Sequence, residues 1–172
     1  YFSKYQKTSE NLEKTFALNH LSYFTLTHHI IDILGLDKPS RVINVASRAH
    51  YQAKLDIDDL QMVNKYMGWT AYCNSKLMNI LFTFEAHKRY KERNISFNCL
   101  HPGFVNTCFG DENKGFGKNI LQIGKKLIGV NVKIGAKTSI YLASSENVSK
   151  ISGKYFYKSK VSKSSKISHS DL

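Results

Sequence analysis

Residues 39–47, "PSRVINVAS", contain the stretch that decides the fold of this chain. A β-branched run from Val42 to Val45 follows Pro39, and small residues follow the run. This composition is typical of a strand that is buried on both faces of a sheet. We therefore predict a buried β-strand whose carboxyl end lies at Ser47.

Helical patterns lie on both sides of this strand. Apolar residues recur at helical intervals from Glu10 to Leu34, and Gly35 is a natural helix stop. After a polar connection over residues 48–68, a second helix is predicted from Trp69 to Arg93. Strand and helix thus alternate along the first half of the chain.

The second half continues the alternation. "ISFNCLHPG" (95–103) predicts a strand that ends in a turn, and "GKYFY" (153–157) predicts another, with a helix over residues 132–145 between them. Strands that alternate with helices indicate parallel strands joined by right-handed crossovers. We predict one α/β domain over residues 1–157. The Ser- and Lys-rich tail, residues 158–172, is expected to be disordered.

The net charge of +12 is concentrated in the C-terminal third. Residues 1–113 carry 13 basic and 11 acidic groups, whereas residues 114–172 carry 12 and 2. Six lysines there border apolar positions within a glycine-punctuated loop, residues 104–130, and the helix after it: Lys114, Lys118, Lys125, Lys126, Lys133 and Lys137. A solvated face is the favoured interpretation, and a peripheral contact with anionic membrane lipid is the alternative. Nucleic acid is disfavoured because this segment contains no arginine.

Cysteine and histidine usage limits the chemistry further. Cys73, Cys99 and Cys108 are odd in number and lack C-x-x-C spacing, so we expect free thiols in a reducing compartment, the cytoplasm or the cytoplasmic face of a membrane. No apolar run reaches the roughly 20 residues that cross a bilayer. The histidines lack metal-ligand spacing, so no metal site is predicted.

An ordered set of polar residues follows the predicted strands. Tyr72 and Lys76 lie four residues apart at the start of a helix and therefore share one face. Asn19 precedes Ser47 by 28 residues, and Tyr72 follows Ser47 by 25. In open α/β sheets ligands bind beyond the carboxyl ends of the strands, where Ser47 and the Pro102–Gly103 turn are expected.

This set resembles the short-chain dehydrogenase/reductase family. The text around it, "FALNH", "SRVINVAS", "AYCNSKLMNILF", "LHPGFVNT" and "SGKYF", is similar to the retinol dehydrogenase branch. The resemblance covers residues 8–157 and implies a doubly wound, Rossmann-type parallel sheet. It also implies a hydride transfer between NAD or NADP and a small alcohol or carbonyl compound, which could be lipophilic or retinoid-like.

The resemblance implies a role for each residue of the set. Tyr72 would donate the proton, Ser47 would hydrogen-bond the carbonyl oxygen, and Asn19 would hold a relay water. Lys76 would hold the cofactor ribose, and its ammonium together with a positively charged nicotinamide would lower the pKa of Tyr72. Asn19, Tyr72 and Lys76 would thus also contact the cofactor, whose nicotinamide end would be bordered by Pro102, Gly103, Val105 and Thr107. Taken singly, each residue could equally serve a structural role.

Part of the family pattern is missing from this sequence. The strand and glycine-rich turn that hold the adenine half of the cofactor are absent. The chain therefore resembles the C-terminal, catalytic part of such an enzyme, and it is expected to bind NADPH or NADH weakly on its own. The alternative is a truncated, non-enzymatic paralogue that binds a partner or a membrane surface. The complete protein is expected to be a homodimer that pairs the helices at 10–34 and 69–93.

Overall fold

A four-stranded sheet forms the centre of the computed structural model, which describes residues 1–106 and 129–170. The strands are β1 (Ser40–Val45), β2 (Ile95–Leu100), β3 (Lys154–Tyr157) and β4 (Lys160–Ser162). They lie in the order β1-β2-β3-β4, so β1 is an edge strand of the described sheet. The β1–β2 and β2–β3 pairs are parallel, as the alternation predicts, and β4 pairs antiparallel with β3.

Three helices within residues 1–106 and 129–170 accompany the sheet. The N-terminal helix spans 14–33 and contains a π-helical turn at Ala17–Leu21. The central helix is Gly68–Arg89, and the C-terminal helix is Val132–Ser144. Short 3-10 turns lie at Arg48–Gln52, Glu146–Val148 and Lys166–His169.

The helix ends differ from the predicted ends for identifiable reasons. The N-terminal helix begins after Glu13, whose carboxylate accepts hydrogen bonds from the backbone amides of Thr15 (2.9 Å) and Phe16 (2.6 Å). The central helix ends at Arg89, before the predicted Arg93. The Arg93 guanidinium instead donates to the carbonyl oxygens of Asp32 and Leu34, both at 3.2 Å.

The helices cover the two faces of the sheet. On one face, Ile95 and Phe97 of β2 pack with Ile31 of the N-terminal helix and Ala86 of the central helix. On the other face, Leu100 and Phe156 pack with Leu142 of the C-terminal helix. The described part of the chain is therefore a parallel-dominated sheet with helices on both faces, in agreement with the predicted fold class.

The tail prediction is wrong for residues 158–170, which are ordered against the domain. Lys158 and Ser159 have φ values of 50° and 58°, as a tight hairpin between β3 and β4 requires. Tyr51 Oη then donates to the Lys163 carbonyl oxygen at 2.6 Å, and the Ser165 amide donates to His50 Nε2 at 3.1 Å. Specific hydrogen bonds therefore hold a segment whose composition suggests disorder.

Residues 1–13 pack against the start of the central helix. A Cβ added at Gly68 would lie 2.2 Å from the Phe2 carbonyl oxygen, so this contact requires glycine. Tyr66 Oη lies 2.9 Å from the same carbonyl oxygen and 3.0 Å from the carboxylate of the buried Glu13, and its single hydrogen is shared between these two acceptors. Tyr66 therefore joins the N-terminal segment to the connection that precedes the central helix.

Candidate active site

Ser47 and the Pro102–Gly103 turn lie at the carboxyl ends of the strands, as the sequence predicts. Ser47 follows β1 and Pro102–Gly103 follow β2, so both groups are at the carboxyl ends of parallel strands. They line one cavity of about 1140 Å³. Trp69 of the central helix and Tyr155 of β3 also line this cavity.

The side chains of Ser47 and Tyr72 lie close enough to each other to form a hydrogen bond. Burial raises the pKa of Tyr72, and the hydrogen bond with Ser47 lowers it by a smaller amount, so the net shift is upward. From the sequence we expect the pKa of Tyr72 to be lowered by Lys76 together with a bound, positively charged nicotinamide. That lowering stays a prediction for the enzyme with its cofactor bound. The hydrogen bond brings the expected proton donor and the expected carbonyl-binding hydroxyl together.

Lys76 lies one helical turn after Tyr72 and is buried, with 8% of its surface exposed. Its Nζ donates to the Val45 carbonyl oxygen at 3.2 Å and lies 5.8 Å from the ring centroids of both Tyr23 and Tyr72. Burial lowers the pKa of Lys76 to about 8. An ammonium ion at neutral pH is therefore held between two aromatic rings beside the end of β1.

Asn19 lies within the π-helical turn Ala17–Leu21 of the N-terminal helix. Its Nδ2 donates to Ser75 Oγ at 3.2 Å, and its carbonyl oxygen accepts a hydrogen bond from Asn79 Nδ2 at 2.9 Å. π-Helical turns occur preferentially at functional sites. The turn thus places Asn19 against the same central helix that carries Tyr72 and Lys76.

The turn after β2 has a defined conformation. Gly103 has φ of +86°, and a Cβ built there would meet only ordinary contacts at 3.9 Å, so backbone conformation rather than crowding calls for glycine. His101 Nδ1 accepts the Gly103 amide at 3.1 Å, which fixes the turn. The Val105 side chain packs against Gly135 of the C-terminal helix. Thr107 lies outside the described residues.

Two buried residues that the sequence does not single out complete the site. His50 Nδ1 lies 2.6 Å from the Ser47 carbonyl oxygen, and its Nε2 accepts the Ser165 amide. Asn79 contacts both the N-terminal helix and the end of β1. In the sequence, Asn79 stands out only as a polar residue three positions after Lys76 in an otherwise apolar run. A buried asparagine with a purely structural role would give the same pattern.

The residues present fit the nicotinamide half of a dinucleotide. Among the described residues, the Lys76 ammonium bonds only to the Val45 carbonyl, so two of its three donors could hold ribose hydroxyls. Tyr72 adjoins Lys76, and the Pro102–Gly103 turn borders the same cavity as Ser47. Nicotinamide nucleotide is therefore compatible with the donor set, and the residues that would hold its adenine half are not identified in this chain.

The structure also bears on the expectations about free thiols, metal binding and membrane contact. Cys73 and Cys99 are free and buried, whereas Cys108 lies outside the described ranges. Residues 1–106 and 129–170 contain no cluster of His, Cys, Asp or Glu that could hold a metal ion. No helix in those ranges has both the length and the apolar character needed to cross a membrane. Lys114, Lys118, Lys125 and Lys126, from the proposed lipid-contact surface, fall in the part that is not described.

Known proteins share sequence similarity with most of this chain. Residues 2–115 match the family model described as short chain dehydrogenase. The chain is 38% identical to retinol dehydrogenase 14 and 36% identical to retinol dehydrogenase 12, both of Homo sapiens. Each match covers 88% of this chain but only 46% and 48% of the respective relative. The chain thus spans about half the length of these curated relatives.

Solved structures give the same fold. An uncharacterised protein from Mycobacterium paratuberculosis is similar with a TM-score of 0.65 and 26% identity, over 88% of this chain and 48% of that one. The NADPH-bound carbonyl reductase from chicken fatty liver is similar with a TM-score of 0.56 and 20% identity, over 94% of this chain and 63% of that one. This second likeness supports the fold alone.

Proposed function

The chain belongs to the short-chain dehydrogenase family, and from that premise we propose that it is the catalytic part of an NAD- or NADP-dependent oxidoreductase. The reaction interconverts an alcohol and a carbonyl compound. The observation that carries this proposal is that the Ser47 hydroxyl lies near enough to Tyr72 to affect the pKa of the phenol, and that the Lys76 ammonium lies 5.8 Å from the Tyr72 ring centroid. Two hydroxyls that meet at the end of a parallel strand can hold one substrate oxygen.

Each side chain then has a defined task. A bound nicotinamide supplies the hydride in the reduction and takes it up in the oxidation. Ser47 donates a hydrogen bond to the substrate carbonyl oxygen and stabilises the negative charge that develops there. Tyr72 transfers its phenolic proton to that oxygen as the alcohol forms. Because burial holds the pKa of Tyr72 high, a nearby positive charge is needed to ease this transfer.

Lys76 provides that positive charge and also binds the cofactor. Its remaining donors would hold the ribose hydroxyls, and Asn19, in the π-helical turn, would hold a water that carries protons toward Lys76. Tyr72 and Asn19 would also contact the nicotinamide riboside. Pro102, Gly103, Val105 and Thr107 would border its nicotinamide end.

The substrate is a lipophilic alcohol or carbonyl compound. Aromatic side chains form much of the cavity wall beside Ser47: Tyr51, Trp69, Phe104, Tyr155 and Tyr157. Such a wall favours a flat or extended apolar molecule. The similarity to proteins named retinol dehydrogenase supports a retinoid-like substrate.

Dimerisation of the complete protein through the N-terminal and central helices is also part of this proposal. Leu18, Phe24 and Leu26 of the N-terminal helix are 63%, 47% and 63% exposed in the single chain. Apolar side chains on one helix that remain exposed favour burial against a second copy.

The test uses the natural full-length protein that contains this chain. Purified protein is incubated with NADPH or NADH and with retinal or decanal, and the loss of the reduced cofactor is followed by absorbance. We expect oxidation with one cofactor, and faster turnover with these aldehydes than with acetaldehyde. Absence of turnover with both cofactors and every aldehyde would reject the enzymatic proposal and favour a non-enzymatic paralogue.

A further inference from the structure

Asn79 lies fully buried on the central helix, three residues after Lys76, with 0% of its surface exposed. A buried amide is costly unless its donors and its acceptor all have partners. Leucine would suit the apolar interior of this helix and would avoid that cost. The presence of an amide therefore calls for an explanation in terms of what it binds.

The amide of Asn79 joins the two elements that flank the active site. Its Nδ2 donates to the Asn19 carbonyl oxygen at 2.9 Å and to the Val45 carbonyl oxygen at 3.3 Å. Its Oδ1 lies 3.1 Å from His20 Nδ1. Both amide protons and the amide oxygen are thus engaged, and the oxygen must be the acceptor, so Nδ1 of His20 carries a hydrogen.

The two backbone carbonyls that Asn79 binds lie next to the candidate catalytic residues. Asn19 lies in the π-helical turn of the N-terminal helix, and Val45 is the last residue of β1. The Val45 carbonyl oxygen also accepts the hydrogen bond from Lys76 Nζ at 3.2 Å. Lys76 and Asn79 therefore share one acceptor, and Asn79 ties that acceptor to the turn that contains Asn19.

We propose that Asn79 is a positioning residue, which fixes the Lys76 ammonium relative to the π-helical turn by holding the carbonyl groups of Val45 and Asn19. This inference rests on the proposed function. Without the Asn79 donors, the carbonyls of the half-buried Asn19 and Val45 each lose a donor, and the Lys76 ammonium is the charged donor next to Val45. The ammonium is then drawn away from its position beside Tyr72, and the π-helical turn is free to relax.

Asn74 offers a matched control on the same helix. It is also a buried asparagine, 3% exposed, and its side chain bonds the backbone of Lys54 through Oδ1 (2.8 Å) and Nδ2 (3.1 Å). These bonds fix the connection after Ser47 and do not involve Val45 or Asn19. Replacement of Asn74 therefore removes a comparable buried amide from a purely structural position.

The experiment compares Asn79→Asp, Asn79→Ala and Asn74→Ala in the natural full-length protein. Asn79→Asp keeps the side-chain volume but removes both donors. Turnover is expressed per folded molecule, with the folded fraction measured by circular dichroism. The KM for the cofactor and the pH profile of turnover are measured in parallel.

We expect both Asn79 variants to lose roughly 10- to 100-fold in turnover, the scale of a misplaced catalytic group. We also expect the alkaline limb of the pH profile to move to higher pH, because water or a carboxylate near Lys76 favours its charged form. The groups that face this ammonium are the rings of Tyr23 and Tyr72. Asn74→Ala should lower the melting temperature and leave turnover per folded molecule and the pH profile unchanged.

The possible failures are distinguishable. An active wild-type protein whose Asn79 variants keep turnover within about twofold, or lose no more than Asn74→Ala loses, would overturn the positioning role alone. A wild-type protein without activity toward any cofactor and aldehyde would overturn the proposed function, and the role of Asn79 with it.

Discussion

The backbone amide of Ser165 donates a hydrogen bond to Nε2 of His50, and Nδ1 of the same ring lies 2.6 Å from the carbonyl oxygen of Ser47. The buried imidazole of His50 thus connects the C-terminal segment to Ser47, which follows β1. Since the carbonyl can only accept, Nδ1 carries the hydrogen and Nε2 is the free acceptor for Ser165. The contact therefore requires a neutral imidazole.

Replacing His50 by phenylalanine should release residues 158–170 from the domain. The ring volume is nearly kept, but the Ser165 amide loses its acceptor and the Ser47 carbonyl loses one of its two donors, at a cost of roughly 1–3 kcal/mol in the free energy of unfolding. Hydrogen exchange should accelerate over this segment, and urea denaturation should report the lost stability. The exposed His29, changed to Asn, is the control. Unchanged exchange in His50→Phe would mean that the segment is held by other contacts.

Tyr72→Phe in the full-length protein should reduce turnover by roughly 10²- to 10⁴-fold, the scale of a lost general acid, with cofactor affinity nearly unchanged. Lys76→Ala should impair turnover and cofactor binding together. Tyr90→Phe is the control, because this residue stacks on Phe97 at the far end of the central helix. Tyr66 is unsuitable for that purpose, since its hydroxyl binds Phe2 and Glu13. A Tyr72→Phe protein with more than about half the normal turnover would exclude the proton-donor role.

Acidification should destabilise the fold below about pH 6.5, the ordinary pKa of histidine. Burial is the largest cause that lowers the pKa of His101, to about 4, and burial also lowers the pKa values of His50 and His20. Above about pH 6.5 these imidazoles are neutral in both states. As the pH falls toward about 4, the unfolded chain binds protons that the folded chain excludes, so the free energy of unfolding decreases.

Urea titrations at about pH 7.5, 6 and 5 would measure this loss of stability. His101→Gln should make the free energy of unfolding less dependent on pH, because the variant lacks one imidazole that binds a proton in the unfolded chain and not in the folded chain. A wild-type protein that is equally stable across this range would show that these histidines titrate normally in the folded state.

Gly68→Ala should detach the N-terminal segment from the central helix. The new methyl group would lie 2.2 Å from the Phe2 carbonyl oxygen, a backbone atom that cannot rotate away. We expect a lower melting temperature and faster hydrogen exchange over residues 1–5, although alanine itself favours a helix. Lys88→Ala, on the exposed end of the same helix, should change neither quantity. A Gly68→Ala protein as stable as the wild type would mean that this approach of the two backbones is not required.

Sequence patterns predict the parts of this fold in which side-chain periodicity reflects burial. The β-branched run at 42–45 does lie in β1, although its Val and Ile side chains are half-buried rather than buried as predicted, and the parallel pairing of β1 with β2 follows from the helix between them. The positions of Ser47 and Pro102–Gly103 at the strand ends follow from the same alternation.

Other features depend on contacts between distant residues, which local patterns do not encode. The tail is Ser- and Lys-rich, but backbone bonds to Tyr51 and His50 order it. The role of Tyr66 depends on Glu13, 53 positions away. In the sequence, Asn79 resembles an ordinary buried asparagine. Its role is visible only once its two carbonyl partners are known. The π-helical turn at Ala17–Leu21 likewise leaves no mark in apolar periodicity.

The edge position of β1 has a consequence for handling the protein. Its six residues pair with β2 on one side, and no described strand pairs with the other side. An uncovered strand edge offers a row of amide and carbonyl groups that a second chain can extend, and the apolar composition of "VINV" adds to that tendency. A preparation of this chain alone should therefore associate as its concentration rises. A synthetic strand supplied in trans should suppress that association by occupying the open edge.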